Sequence, residues 1–275
     1  MTEVFHNGRN ERDIPWQELL ADGRIPGATL VKKYGQVKGD TTTGVRSVWE
    51  YGSDDLGDVD YIFPADGTAP IDTISSSDDS DVGTISIPDG LDINGDLAPQ
   101  TVTLTGQTPV TLTTPLWRCH RQLSITADSD PTLGSDGFAG QIYTYNAGDA
   151  VTNGVPNNAT DVKCFINGAQ NQTLQSFYTV PNNCVCYLFW ARSALAKKGT
   201  SSAIMEAWVR PYGLEWRLGD IGSLNSAATS VFQESSSLYE SFPGRTDIMV
   251  RANVDTLNAV VTARFDIIQK DLAYL

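Results

Sequence analysis

The chain is short of charge, and above all of positive charge. Charged residues make up 19% of its 275 residues, and 33 Asp and Glu outnumber 19 Lys and Arg, which gives a net charge of −14. Typical globular domains carry about 25% charged residues. Because a nucleic-acid surface needs clustered positive charge, this balance argues against direct binding of nucleic acid. It is compatible with docking onto a basic partner surface.

Long apolar runs and a leader segment are also missing. No run approaches the roughly 20 apolar residues that span a bilayer, so no membrane partner is expected. The first residues lack the basic start and apolar stretch of a signal peptide, which predicts synthesis and folding in a cytoplasm. In such a reducing compartment the cysteines are expected to be free, buried thiols. They are Cys119, Cys164, Cys184 and Cys186.

Side chains suited to catalysis are few. The chain has two histidines, His6 and His120. A zinc site needs about four ligands, and Cys164, Cys184 and Cys186 with His120 offer that number. No Cys-x-x-Cys pair is present, however, so buried cysteines are favoured over zinc. Since no nucleophile elbow, phosphate loop or dinucleotide fingerprint occurs either, we predict a protein that is not an enzyme, without catalytic, cofactor-binding or metal-binding residues.

Two acidic loops, residues 78–81 and 92–96, resemble fragments of calcium-binding loops. Neither has the EF-hand pattern that ends in Glu. Asp and Asn are the ordinary residues of turns, so solvated turns are the favoured interpretation. Calcium binding stays open for two sets of side chains: Asp78, Asp79 and Asp81, and Asp92, Asn94 and Asp96.

What the sequence does contain is β-strand patterning. Apolar residues alternate with Thr, Ser or Gln at residues 102–104, 110–112 and 123–125, as in strands with one buried face. Residues 162–210 hold four strand-like runs separated by turn residues. Within them, residues 184–190 are apolar throughout, which is typical of a fully buried strand. The pattern predicts an all-β, antiparallel β-sandwich of the jelly-roll or Ig-like kind, or two packed sandwiches.

The predicted organisation has three parts. Residues 1–45 form an N-terminal extended arm that carries a short helix, residues 46–149 a β-rich half, and residues 150–275 a C-terminal sandwich; alternatively, 45–275 form one domain. In the helix, Asp13 is the predicted N-cap, and Gly23 takes the left-handed position after its end. Residues 220–230 read as a long loop.

So short a helix is not stable alone, and its apolar face must pack against its own domain or a neighbouring subunit. The arm that follows is extended and weakly periodic, which favours a role in anchoring a partner. The predicted partner-contact residues are Trp16, Leu19, Leu20, Leu30, Val31 and Tyr34.

Several short segments agree in order and spacing with one known family. They are GATLVKKYG (27–35), VW (48–49), ISSSD (74–78), TVTLTGQT (101–108) with Val110 and Leu112, NQTL (171–174), YTVP (178–181), VRP (209–211) and RTDIMVR (245–251). Together they resemble β-sandwich virion structural proteins of tailed bacteriophages, especially marine ones. The chain departs from that family at Cys184 and Cys186, positions that are usually not cysteine.

The resemblance implies an accessory protein of the virion without catalytic residues. We expect a capsid-associated decoration or cement protein that forms a homo-oligomer, such as a trimer, and binds another virion protein such as the major capsid protein. The alternative is a neck, collar or tail component, including a receptor- or glycan-binding module. Its sugar-facing aromatic residues would be Trp49, Tyr51, Tyr212 and Tyr239. An enzyme that degrades host polysaccharide is the third and least favoured class.

Overall fold

The computed structural model describes most of the chain. The described residues are 5–6, 9–10, 15–39, 44–53, 56–127, 137–146, 148–196, 201–225, 231–234, 240–255 and 259–274. Within them the structure is antiparallel β-sheet with a single short α-helix, which confirms the predicted all-β class. No helix in this part of the chain is both long enough and apolar enough to cross a membrane.

The elements follow one another in chain order. Strands β1 to β4 are Phe5–His6, Arg9–Asn10, Ala28–Gly39 and Val45–Ser47. Strands β5 to β13 are Ile71–Ser76, Val82–Ile87, Gln100–Thr105, Val110–Leu116, Leu123–Ala127, Ile142–Asn146, Val151–Thr152, Val155–Pro156 and Val162–Ile166. Strands β14 to β21 are Phe177–Thr179, Cys184–Ala196, Ser202–Arg210, Arg217–Asn225, Val231–Glu234, Ser241–Pro243, Asp247–Val254 and Ala259–Asp271. Helix α1 is Trp16–Ala21, and single 3₁₀ turns cover Glu50–Gly52, Ala159–Asp161, Gly168–Gln170 and Leu272–Tyr274.

Two sandwiches account for most of these strands. The body sandwich pairs the sheet β14-β20-β16-β17, to which β4 adds, with the sheet β18-β15-β21-β3, to which β19 adds. The inserted sandwich pairs the sheet β13-β10-β5-β8 with the sheet β7-β6-β9. Each encloses its own apolar core, because alternate residues of facing sheets point inward.

The inserted sandwich interrupts the body sandwich along the chain, since β3 and β4 precede it and β14 to β21 follow it. Strand β3 pairs with β21 in twelve consecutive residue pairs, from Ala28 opposite Lys270 to Gly39 opposite Ala259. Residues 28–39 are therefore not a free arm, because their backbone and buried face complete a sheet of the same chain. Strands β10 and β13 pair with each other, so no division between sheets falls at residue 149/150.

The helix confirms one predicted feature. Gly23 has a φ of 68°, the left-handed conformation expected after the helix end. Its N–H donates to the Leu20 carbonyl at 3.1 Å, and the Arg24 N–H donates to the Leu19 carbonyl at 2.8 Å. These two bonds form a Schellman motif, which ends the helix. The helix begins at Trp16 without a side-chain cap, and the predicted cap Asp13 lies outside the described residues.

A layer of aromatic rings joins the two sandwiches. Trp49, in the segment that links them, makes edge-to-face contacts with Tyr51 at 5.4 Å, Tyr61 at 5.1 Å and Phe177 of the body sandwich at 6.1 Å. Tyr51 in turn lies 5.9 Å from Tyr143 of the inserted sandwich. Such ring pairs add stabilisation beyond the area they bury. We call this set of rings the aromatic layer.

Candidate interaction surface

Beside the aromatic layer lies a buried ionic cluster, which also spans both sandwiches. Arg118 follows β8 and is completely buried. Its Nε and Nη2 donate to the two carboxylate oxygens of Asp247, on β20, at 3.0 and 3.1 Å. The same carboxylate accepts from Nε and Nη2 of Arg210, at the end of β16, at 3.0 and 2.5 Å. Asp66 Oδ1 also lies 3.5 Å from Nη2 of each arginine, so two carboxylates face two guanidinium groups in this largely buried site.

His120, the only histidine whose side chain is described, is a structural residue. Its Nε2 accepts a hydrogen bond from the backbone N–H of Thr179 at 3.0 Å, and its ring packs 5.3 Å from Tyr178. Burial holds the pKa of His120 well below its usual value, and the neighbouring charges of Lys33 and Arg118 lower it further. The imidazole is therefore neutral and ties the two sandwiches together.

This environment predicts a pH dependence of stability. The unfolded chain binds a proton at His120 below about pH 6.5, whereas the folded chain does not. The unfolding free energy should therefore fall as the pH is lowered below 6.5, by up to about 1.4 kcal/mol per pH unit from this group. Urea unfolding from pH 7 to pH 5 should show a smaller loss for the variant His120→Gln than for the wild type. Parallel pH profiles of the two proteins would contradict this assignment.

The four cysteines are buried free thiols, as predicted. Cys119 and Cys164 belong to the core of the inserted sandwich, and Cys184 and Cys186 to the core of the body sandwich. The zinc ligand set considered above is therefore divided between two cores. Across the described ranges, no group of three or more His, Cys, Asp and Glu side chains is arranged to hold a metal ion.

The two acidic loops are turns held by their own backbone. Asp78 Oδ1 accepts from the N–H of Ser80 at 2.8 Å, and Asp92 Oδ1 accepts from the N–H groups of Asn94 and Asp96 at 2.8 and 3.0 Å. These are Asx turns, in which the carboxylate oxygen serves a backbone donor.

Asp81 has a different role. Its carboxylate accepts from the N–H groups of Ala139 and Gly140 at 2.8 and 2.9 Å and thereby fixes the base of the first loop.

The predicted partner-contact residues are placed on both faces of one sheet. Helix α1 packs on the face of sheet β18-β15-β21-β3 that points away from the body core, which we call the outer face. Leu20 is buried there, and Trp16, 39% exposed, lies 5.7 Å from Phe189. Leu30 and Tyr34 also belong to the outer face, whereas Val31 packs against the body core. Leu19 is half-buried.

A groove of about 510 Å³ runs between α1 and the outer face. Trp16, Leu20, Ile25, Tyr187 and Ile268 are among the residues that line it. The helix thus packs on its own chain, and it leaves an apolar groove that a partner residue could enter. A contact of these residues with another subunit stays a prediction.

Two of the four aromatic residues proposed for sugar binding are buried. Trp49 is 1% exposed and Tyr51 is buried, so neither faces a ligand. The prediction is wrong for these two, because the segment that carries them folds between the sandwiches rather than over the surface. Tyr212 is exposed and stacks on the Arg245 guanidinium at 3.4 Å. Tyr239 lies outside the described residues.

Sequence reasoning missed an exposed apolar edge on the other sheet of the body sandwich. Residues 217–225 form β17 rather than part of a loop, because β16 provides backbone partners along their length. Ile204, Leu218 and Ile221 point to the same face there and are exposed. A shift of pairing register between Ala207 and Trp208 separates Leu218 from Ile221, and this disrupts the alternation that would reveal the strand.

Comparisons with known proteins do not assign the chain to a family. No family model matches the chain, and no curated protein matches it. Among solved structures, it is similar to the infectious bursal disease virus VP2 subviral particle, with a TM-score of 0.21, 9% identity, and coverage of 94% of this chain and 78% of that chain. For the structure of the Gx strain of that virus, the TM-score is 0.16 and the identity is 9%, with coverage of 89% of this chain and 77% of that chain. Likeness at this level carries no argument about function.

Proposed function

We propose that the protein is a non-enzymatic structural protein of a tailed bacteriophage particle. More specifically, it is a capsid-associated decoration protein that assembles with itself and with the major capsid protein. The observation that carries the proposal is the joint between the sandwiches. There the aromatic layer around Trp49 and the buried cluster of Arg118, Asp247 and Arg210 fasten two β-sandwiches together.

A joint of this kind suits a particle protein for a physical reason. Domains in one chain move relative to each other unless their interface is large and hydrophobic. Here the interface is aromatic and also contains a buried ionic cluster, so the two sandwiches move as one. A repeating shell needs subunits that present their contacts in a constant geometry, because each copy must meet its neighbours in the same way.

The resemblance to virion proteins of tailed bacteriophages is the second support. Its segments belong to both sandwiches: residues 74–78 and 101–108 lie in the inserted one, and residues 178–181 and 245–251 in the body. The segments that carry the resemblance are therefore distributed over both sandwiches rather than confined to one.

A neck, collar or tail component that binds host glycans is the second candidate. It is favoured by the turn that follows β16, where Tyr212 is 39% exposed and Leu214 is also exposed. An aromatic ring stacked on a guanidinium forms a flat, stiff platform that suits a sugar ring. Glycan arrays with purified protein distinguish the two candidates, because a decoration protein should show no binding there.

Incorporation into particles tests the proposal. Purified protein is added to particles that lack it, and the bound amount is measured. The wild type should bind to saturation, whereas Trp16→Ala should lower the occupancy about tenfold if the groove beside α1 is the anchor. Ile125→Ala, which removes a more exposed apolar side chain from the inserted sandwich, is the control and should bind like the wild type. Failure of the wild type to bind would contradict the proposed function.

A further inference from the structure

The charge of the chain is unevenly distributed. Residues 56–175, which include the inserted sandwich, hold fifteen of the 33 acidic residues but only three of the 19 basic ones. Nearly all of the net charge of −14 therefore belongs to this part. The rest of the chain, including the body sandwich, is close to neutral.

The outer face of the body sandwich has the opposite sign. The registers of β3 and β15 with β21 place six described charged residues on that face, and five of them are cations. The cations are Lys32, Lys38, Arg192, Arg264 and Lys270, and the one carboxylate is Asp266.

Two of these cations are directly opposed. Arg192 on β15 and Arg264 on β21 are cross-strand partners. Like charges in this arrangement destabilise a sheet. Arg264 donates to both carboxylate oxygens of Asp266 at 2.9 Å and lies 5.2 Å from the centroid of Trp190, so it is fixed and neutralised. Arg192 is exposed, and no carboxylate of the described part of the chain forms an ion pair with it.

Arg192 also borders a groove of about 470 Å³. This volume lies within the range of about 300–1,000 Å³ that is usual for ligand sites. Tyr34, Gln36 and Thr262 contribute polar groups to its lining, and Leu174 contributes apolar surface. A segment with small side chains and a carboxylate matches such a groove in size and in charge.

The inserted sandwich presents a segment of that kind. The turn between β5 and β6 consists of Ser and Asp residues only, and Asp79 is exposed. Asp78 Oδ1 accepts from the N–H and the hydroxyl of Ser80 at 2.8 and 2.6 Å, which keeps the turn in one shape. Asp81 anchors its base to Gly140, as described above. The turn is therefore acidic and preorganised, which lowers the entropy cost of binding.

We propose that the outer face of the body sandwich binds a second copy of this chain, whose acidic turn at residues 77–80 enters the groove and places Asp78 and Asp79 against Arg192. The proposal rests on the proposed function, for which it names the self-contact. The two surfaces differ, so the contact is head-to-tail, and it produces a closed ring or an extended array. Arg192 gains a carboxylate that the described part of its own chain does not supply.

Self-association of the purified protein tests this contact without any particle. Sedimentation velocity is measured at about 0.01 M and about 1 M salt, where the Debye length is roughly 30 and 3 Å. The wild type should associate at low salt and dissociate at high salt. Arg192→Ala should raise the dissociation constant about tenfold or more, and the double variant Asp78→Asn/Asp79→Asn should do the same. Arg217→Ala, which removes an exposed cation of the other sheet, is the matched control and should associate like the wild type.

Mixing the variants identifies the contact as head-to-tail. Arg192→Ala retains the acidic turn, and Asp78→Asn/Asp79→Asn retains the groove, so an equimolar mixture should form one-to-one dimers and nothing larger. Absence of these dimers, or a wild type that stays monomeric at low salt, would overturn the proposal. The proposal would also be overturned if the wild type stayed monomeric and bound an acidic polysaccharide that Arg192→Ala no longer bound. None of these outcomes affects particle binding through α1, which is measured separately.

Discussion

Replacing Asp247 with Ala is expected to lower the unfolding free energy by about 3–5 kcal/mol. The substitution leaves two guanidinium groups with Asp66, 3.5 Å from each, as their one remaining carboxylate, so one positive charge is uncompensated, and the guanidinium of Arg118 is completely buried. A charge left unpaired in a dry site costs its full desolvation energy. Urea unfolding at pH 7, followed by circular dichroism, measures the change. Both sandwiches should lose stability, because the cluster spans the joint between them.

Asp266→Ala is the matched control. It also removes a carboxylate that binds an arginine through both oxygens, but Arg264 is 42% exposed and water can solvate it after the change. The expected cost is about 1 kcal/mol or less, as for exposed ion pairs. Equal costs for the two substitutions would show that burial of the Arg118–Asp247 pair does not set its energy.

Trp49→Ala is expected to have an effect of similar size, about 3–5 kcal/mol. The side chain is fully buried at the centre of the aromatic layer and contacts rings of the linking segment and of the body sandwich. Its removal leaves a cavity between the two sandwiches. Scanning calorimetry should therefore show a lower melting temperature and should separate one unfolding transition into two.

The same substitution at Trp16 is the control. This ring is partly exposed on α1 and makes one described ring contact, with Phe189. Its loss should cost about 1 kcal/mol and leave a single transition, because less area leaves water. If Trp49→Ala unfolded in one transition at the temperature of Trp16→Ala, the aromatic layer would not be what joins the sandwiches.

Local features of the fold could be predicted from the sequence. The alternation at residues 102–104 and 110–112 corresponds to β7 and β8, because a strand with one solvent-facing side repeats every two residues. Residues 123–125 also form a strand, β9, but the predicted buried face is wrong there, since Ile125 is 56% exposed and Gln122 is buried instead. Gly23 ends its helix as expected, since few other residues adopt that conformation without strain. These features depend only on residues that are close together in the chain, so they can be predicted from the sequence alone.

Long-range pairing could not be predicted. Strand β3 pairs with β21, at the other end of the chain, and nothing in the sequence of residues 28–39 indicates which strand they pair with. Residues 28–39 of the predicted arm, residues 1–45, are therefore a strand of the body sandwich. Arg118 and Asp247 resemble surface charges in sequence, and only the joint between the sandwiches buries them. Trp49 appeared exposed for the same reason, because its cover comes from residues far along the chain.

The candidate interaction surface could also be predicted only in part from the sequence. Trp16 and Leu20 could be found from helical spacing, and the structure places both beside one groove. Arg192 and Arg264 are 72 positions apart by their numbers, so their opposition across two strands is visible only in the register. A single sequence reveals the character of each strand but not which side chains meet.

Copy number in purified particles is the most direct test of the proposed capsid role. Quantitative mass spectrometry of particles, referenced to the major capsid protein, measures it. A decoration protein should be present in copies on the order of hundreds, because a shell repeats each contact by symmetry. About a dozen copies or fewer would instead indicate a neck or tail position, and absence of the protein from particles would contradict a structural role in the virion.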